Sequence, residues 1–159
     1  MHKIEYNVFE KGYIDFTIIL DFLKNNDDAL IPHLSERVNL FEYSNKLSKK
    51  AIHFTAFQNE QLAGILSLYF NQYPRFSFCP YFCVNKDYTN QSIGNTLLKM
   101  AVNYCMSNRS SGIKLTVNKD NLSAIKFYKK NDFYSIEERF YPNSDKKHLL
   151  MENKLNKNK

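Results

Sequence analysis

Only four glycines occur in the 159 residues. One of them, Gly94, falls in Gln91-Ser92-Ile93-Gly94-Asn95-Thr96-Leu97-Leu98, straight after an apolar run at residues 76–84. A glycine where a strand hands over to a helix lets backbone come close to a ligand. The first turn of the helix adds N–H groups without intrahelical partners and the positive end of a dipole. The amides from Gln91 to Asn95 are therefore candidate donors to an anion, and small or polar side chains such as Ser92 suffice there. An ordinary strand-to-helix turn reads the same way from this segment alone.

A second segment carries side chains with chemistry of their own. Asn121, Ala124 and Tyr128 are spaced by three and four, which places them on one helix face. Phe127 groups with Ala124 and Tyr128, and Lys126, Lys129 and Lys130 on the same short helix are close enough to meet a phosphate. Taken alone, Tyr128 reads first as a core aromatic with its hydroxyl at the rim.

The elements that position these residues follow from composition and spacing. A hydrophobic content of 43% with thirteen Phe and eleven Tyr supports one well-buried core. We expect one domain over residues 1–155 and a basic tail at 156–159. No apolar stretch is long enough to span a membrane, and Glu5 and Glu10 sit where a secretory signal needs an apolar centre. Cys79, Cys83 and Cys105 form no CxxC pair and have no neighbouring His, which fits reduced thiols in a cytoplasmic protein and no metal site. Cys79 and Cys83 share a strand face with Tyr81 between them.

The formal charge of +6 comes almost wholly from lysine, with Arg only at positions 37, 75, 109 and 139. A solvated lysine surface accounts for it better than nucleic-acid recognition, which favours Arg.

Residues 2–9 suit a first strand. Phe16, Ile19, Leu20 and Leu23 recur at helical spacing, and a second helix capped by Ser35 carries Leu34, Val38 and Phe41 on one stripe continued by Leu47. Two apolar runs around Asn59-Glu60-Gln61 predict an antiparallel hairpin. Residues 75–84 form a fourth strand that Pro80 must distort, because proline lacks a ladder donor. A helix at 93–108, a short buried strand at 113–117, the helix at 121–130 and a closing hairpin around Pro142 to Asp145 complete a mixed α/β chain.

From the strand before Gly94 to Phe133 the sequence resembles the GNAT superfamily of acyl-CoA-dependent N-acetyltransferases. Its pyrophosphate loop, R/Q-x-x-G-x-G/A, aligns with Thr89-Asn90-Gln91-Ser92-Ile93-Gly94, where Thr89 replaces the basic or amide residue and Ser92 the first glycine. Its downstream pattern, N-x-x-A-x-x-x-Y-x-x-x-G-F, is matched by Asn121, Ala124, Tyr128 and Phe133, with Asp132 at the glycine.

The resemblance implies a mostly antiparallel central sheet flanked by helices, with a splayed fourth strand, and acetyl-CoA as the acyl donor. It implies donor contacts from Phe82, Cys83 and Val84 on the fourth strand, from the loop Thr89, Asn90, Gln91, Ser92, Ile93, Gly94 and Asn95, and from Asn121, Ala124, Phe127 and Lys130. It also implies that Tyr128 gives a proton to the departing thiolate. The acceptor would be a primary amine of a small molecule, such as an amino sugar, or of a peptide, with Phe22, Tyr43, Tyr69 and Tyr141 as candidate lining. Relatives often form homodimers.

Many relatives carry a Glu base on the fourth strand, but residues 75–84 hold no carboxylate. Tyr81, Tyr69 and His53 are the candidates here, acting directly or through water, although each reads first as a structural residue; the gap favours amines near pKa 8 over lysine. Two other readings are a non-catalytic CoA-binding module of the same fold and a basic nucleic-acid-binding protein.

Overall fold

Described in the computed structural model are residues 3–70, 76–88 and 92–155, so Thr89, Asn90 and Gln91 of the loop and the tail 156–159 lie outside the described residues. In chain order the elements are β1 (Glu5–Phe9), α1 (Phe16–Asn25), α2 (Leu34–Arg37), α3 (Leu40–Lys50), β2 (Ile52–Gln58), β3 (Gln61–Tyr69), β4 (Ser77–Val84), α4 (Ile93–Ser107), β5 (Gly112–Asn118), α5 (Leu122–Lys130), β6 (Tyr134–Phe140) and β7 (Lys147–Lys154). Strand neighbours run β1-β2-β3-β4-β5-β7-β6. The β4–β5 pair is parallel, whereas β1–β2, β2–β3, β5–β7 and β6–β7 are antiparallel. This is the mixed, mostly antiparallel sheet flanked by helices that the sequence implies.

Contacts divide the chain into two compact units, Met1–Tyr69 with Tyr81–Ala101, and Phe70–Pro80 with Val102–Lys159. In the first, the Asp15 carboxylate starts α1 by accepting from the Thr17 amide at 2.9 Å. Helical spacing then buries Ile19, Phe22 and Leu23. These pack with Leu47 of α3, Ile65 of β3 and Tyr81 and Cys83 of β4 in one apolar cluster. Each fully buried leucine or isoleucine there stabilises the fold by about 1.5–3 kcal/mol. The β2–β3 turn is Asn59-Glu60, with φ of 52° and 64°. Two successive left-handed residues give the backbone twist that a two-residue hairpin needs.

One expected helix proves to be two. Val38 is extended and ends α2, and Asn39 starts α3 by accepting from the Glu42 amide at 3.0 Å. Ser35 does not cap: its amide and hydroxyl both donate to the Asp27 carboxylate. An Asn followed by a fresh apolar stripe is a sufficient local start signal to interrupt the periodicity. Phe41 consequently stands 56% exposed while Leu34 and Leu47 are buried.

Gly64 on β3 seats the next helix. A Cβ at that position would stand 3.0 Å from Cγ2 of Ile93 and 3.2 Å from Cδ1 of Leu97. The first turns of α4 can therefore rest directly on the strand, with Ile93 and Leu97 almost fully buried.

In the second unit, β4 pairs with β5 through Ser77↔Ile113, Phe78↔Lys114 and Cys79↔Leu115. The pairing stops before Pro80, which has no N–H to give, while β5 runs on to Asn118. The distortion expected in the fourth strand thus falls at its proline. Ile113, Leu115, Phe133 and Met151 are buried in this unit, and Ile125 is the buried residue of α5.

Candidate active site

The first unit supplies a helix entrance. The Ser92 carbonyl accepts from the Thr96 amide at 3.1 Å, the first turn of hydrogen bonding in α4. Ile93, Gly94 and Asn95 precede that bond, in the stretch where an α-helix offers its amides no acceptor of its own. The Ser92 hydroxyl caps none of them among the described residues. On β4, Cys83 is buried and its thiol lies 3.7 Å from the Val84 carbonyl oxygen, while Phe82 and Val84 are half-buried. Thus Phe82 to Val84 and Ser92 to Asn95 belong to one compact unit.

The second unit carries the side chains. Asn121 caps α5, its Oδ1 accepting from the Ala124 amide and from the Ser123 hydroxyl, each at 3.2 Å. Its Nδ2 makes no hydrogen bond among the described residues. Seven positions on, the Tyr128 ring is held between Phe127 and Phe133, each with ring centroids 5.5 Å away. Tyr128 is half-buried, as are Ala124 and Phe127, and Lys126, Lys129 and Lys130 are exposed.

The end of α5 explains the spacing that follows Tyr128. The Phe133 amide donates to the Tyr128 carbonyl at 3.0 Å and the Asp132 amide to the Lys129 carbonyl at 3.3 Å. This is the paired Schellman stop, with Asp132 at the left-handed position, φ 70°. The Tyr128–Phe133 ring contact is the apolar contact that accompanies such a stop. Hence the run from Asn121 to Phe133 is a complete helix, cap to stop, that fixes Tyr128 at both backbone and ring.

Both positions at which the chain lacks an expected glycine keep a glycine-like backbone. Ser92 has φ 56° and Asp132 φ 70°. A left-handed conformation costs an L-residue about 1–2 kcal/mol, and Asp bears it better than most. The residue types differ from the family pattern at these places, and both residues take a backbone that glycine adopts without a Cβ penalty.

None of the base candidates is poised to take a proton. His53 is fully buried; its Nε2–H donates to the Leu47 carbonyl at 2.9 Å, which leaves Nδ1 to accept from the Ser67 hydroxyl at 2.8 Å. Burial lowers its pKa to about 4. Tyr81 is a buried core phenol, edge-on to Phe22 at 6.4 Å, and burial raises its pKa well above the usual range. The Tyr69 hydroxyl is buried without a hydrogen-bond partner among the described residues, and burial raises it too. Burial likewise pushes Cys83 and Cys105 up to about 11. All three cysteines are buried free thiols.

Of the candidate acceptor-lining residues, Phe22, Tyr43 and Tyr69 pack on the apolar cluster of the first unit. Tyr141 belongs to the second, with its ring 4.5 Å from that of His148. The sequence reading missed Gly64, although a lone glycine inside a strand pattern is itself a sign of close approach. It also missed the buried Ile125, which anchors the face of α5 opposite to its solvent side.

A sequence model described as the acetyltransferase (GNAT) family matches residues 19–133. No curated protein sequence matches the chain. Among solved structures, the ribosomal-protein-S18-alanine N-acetyltransferase from Escherichia coli superposes with a TM-score of 0.76 at 16% identity, covering 96% of this chain and 94% of that one. An acetyltransferase of the GNAT family from Staphylococcus aureus Mu50 gives 0.73 at 20% identity, covering 96% and 99%. The PaiA N-acetyltransferase from Thermoplasma acidophilum, in complex with coenzyme A, gives 0.72 at 18% identity, covering 96% and 99%. At these identities the likeness shows a shared fold.

Proposed function

This chain belongs to the acetyltransferase (GNAT) family, and from that premise we propose that it moves an acetyl group from acetyl-CoA to a primary amine by direct attack. The observation that carries the reading is the backbone at Ser92 and Asp132, which is left-handed, as glycine readily is, at the two places where the family motifs have glycine. In this reading the amides of Ile93, Gly94 and Asn95, with Thr89, Asn90 and Gln91 before them, hold the pyrophosphate. Phe82, Cys83 and Val84 lie along the pantetheine arm. Asn121 gives that arm its uncommitted Nδ2, and Ala124, Phe127 and Lys130 complete the donor's contacts on α5.

The amine nitrogen attacks the thioester carbonyl carbon, a C–N bond forms and the C–S bond breaks. Charge developing on sulfur is met by the Tyr128 phenol, which gives up its proton to the thiolate. The proton lost by the amine returns to Tyr128 through solvent. A thiol near pKa 8.5 and a phenol near 10 differ little enough for this transfer to cost about 2 kcal/mol. Direct attack is supported by the thiols: Cys83 and Cys105 are buried and held neutral, so neither is suited to carry the acetyl group. With His53, Tyr69 and Tyr81 unsuited as bases, the acceptor must supply its own neutral nitrogen. An α-amino group or amino sugar near pKa 8 does so far more readily than a lysine near 10.4.

Free CoA released from acetyl-CoA across an amine panel tests this. Turnover should be faster on α-amino and sugar amines than on lysine side chains at neutral pH. No binding of CoA by calorimetry at millimolar concentration would overturn the reading.

A further inference from the structure

Among the described residues, β6 is open on both faces and along its outer edge. It ends the strand order, and all seven of its residues are exposed. Tyr134, Ile136 and Phe140 among them are large and apolar, with Phe140 61% exposed. The unpaired N–H and C=O groups of an edge strand are a template for another strand. Charged side chains, and the bulge between Ser135 and Glu137, restrict what can pair with this one. What they still admit is set by register.

The backbone limits the registers first. The Tyr141 amide donates to the Lys146 carbonyl at 2.9 Å, and pairing continues as Phe140↔Lys147, Arg139↔His148, Glu138↔Leu149 and Glu137↔Leu150. Bonded and non-bonded pairs alternate along an antiparallel ladder. Arg139 and Glu137 therefore turn their amides to β7, while Glu138 and Phe140 turn theirs to the open edge. A further antiparallel strand fits only where outward residues meet outward residues. For two copies of β6 related by a twofold axis, that condition puts the axis on a residue.

The charges then select Glu138. With that residue on the axis, Glu137 of each strand stands opposite Arg139 of the other, and Phe140 comes level with Ile136. Both unlike pairs form at once, because Ile136-Glu137-Glu138-Arg139-Phe140 is complementary to its own reverse. Moving the axis to Glu137 or to Arg139 makes no unlike pair and sets like charges together. The two Glu138 carboxylates on the axis are compensated, since each already has Lys119 at 2.8 Å and Lys147 at 3.7 Å. Glu137 and Arg139 bridge each other along one face of the strand, where the same pair from a copy would complete a ring of four alternating charges. The strand at the other edge, β1, carries Glu5 as its one charge and can make no unlike pair with a copy of itself.

We propose that β6 is the interface of a twofold dimer of this chain, in which two copies of the strand pair antiparallel about Glu138. Backbone hydrogen bonds and apolar contact supply the attraction, and the charges fix the register. The proposal does not rest on acetyl transfer. A pairing this short is smaller than a standard protein interface, so the dimer is reversible and depends on concentration.

Sedimentation equilibrium of the full chain, from micromolar to millimolar concentration, should show monomer and dimer in exchange. Glu137→Arg and Arg139→Glu alter exposed residues and should keep the thermal melt. Each alone turns both cross-strand pairs into like-charge pairs and should raise the dissociation constant by about tenfold or more. Mixed in equal amounts, the two variants regain both unlike pairs, one copy supplying two arginines and the other two glutamates, so the mixture should dimerise as the parent does. The proposal fails if the parent stays monomeric throughout, if either single variant dimerises as the parent does, or if the mixture dimerises no better than its components.

Discussion

Helices α4 and α5 begin with the same electrostatics and use it differently. Each starts with amides that the helix itself does not satisfy and with the positive end of its dipole. At α5, Asn121 fills the vacancy from within, its Oδ1 on the Ala124 amide. At α4, Ser92 contributes its carbonyl to the first hydrogen bond but no side-chain cap among the described residues. An entrance closed by its own side chain has little left for an anion, whereas one left to backbone amides does. The pyrophosphate site proposed above therefore falls at α4 rather than at α5. What α5 offers is a side chain, Tyr128, fixed between Phe127 and Phe133.

The largest test of that division removes one hydroxyl. Tyr128→Phe keeps the ring and both aromatic contacts but deletes the proton donor. We expect kcat to fall at least ~100-fold, within the range typical of general acids, with CoA affinity unchanged. Ser92→Ala should leave CoA affinity unchanged as well, because α4 works through backbone. A kcat within twofold of the parent in Tyr128→Phe would assign the thiolate's proton to solvent and reduce α5 to a donor contact.

Acid should distinguish the two units. Folded His53 has a pKa of about 4 against an ordinary 6.5, so between those values the unfolded chain binds the proton and the folded chain does not. Stability is then full above about pH 6.5 and falls as the pH drops toward 4, by about 3 kcal/mol in all. Amide exchange should report it first on β2 and β3, which carry the His53–Ser67 pair. If denaturant midpoints at pH 7 and pH 4.5 coincide in the parent chain, the buried neutral imidazole is wrong.

Asn121 is where the two uses of a helix start can be separated experimentally. Asn121→Ala loses the cap and should cost about 1 kcal/mol of stability. Asn121→Ser restores an oxygen acceptor for the Ala124 amide, and with it the stability, but not the Nδ2 proposed for pantetheine. KM for acetyl-CoA should therefore stay raised in both variants. Recovery of KM in Asn121→Ser would make the residue a cap and nothing more.

How much of this was legible in the sequence depends on how local its cause is. The run from Asn121 to Phe133 was legible because it encodes a cap, a stop and a ring contact within thirteen residues. Pro80 was legible for the same reason, since a missing N–H ends pairing wherever it stands. The break between α2 and α3 was not, because Asn39 and Ser35 both carry start signals and only the Asp27 carboxylate, eight residues before Ser35, decides between them. A structural role for His53 was legible, but its partners, Leu47 and Ser67, were not, since they come from different elements.

The smallest effects test the claim on which the functional reading rests. Ser92 and Asp132 hold left-handed backbone at φ 56° and 70°, where glycine carries no Cβ penalty but loses more chain entropy on folding. The two terms oppose, so each Gly substitution should stabilise by no more than about 1 kcal/mol. Ser92→Gly should gain more than Asp132→Gly, because an aspartate tolerates the left-handed region better than a serine and because the Schellman stop already holds Asp132 with two hydrogen bonds. Urea midpoints of the two single variants and the double would show this, the double being additive for sites so separate in sequence and partners. A Ser92→Gly variant less stable than its parent would mean that Ser92 does not adopt this conformation in solution. The α4 entrance would then lose its likeness to the α5 stop, and with it the strongest support for a pyrophosphate site.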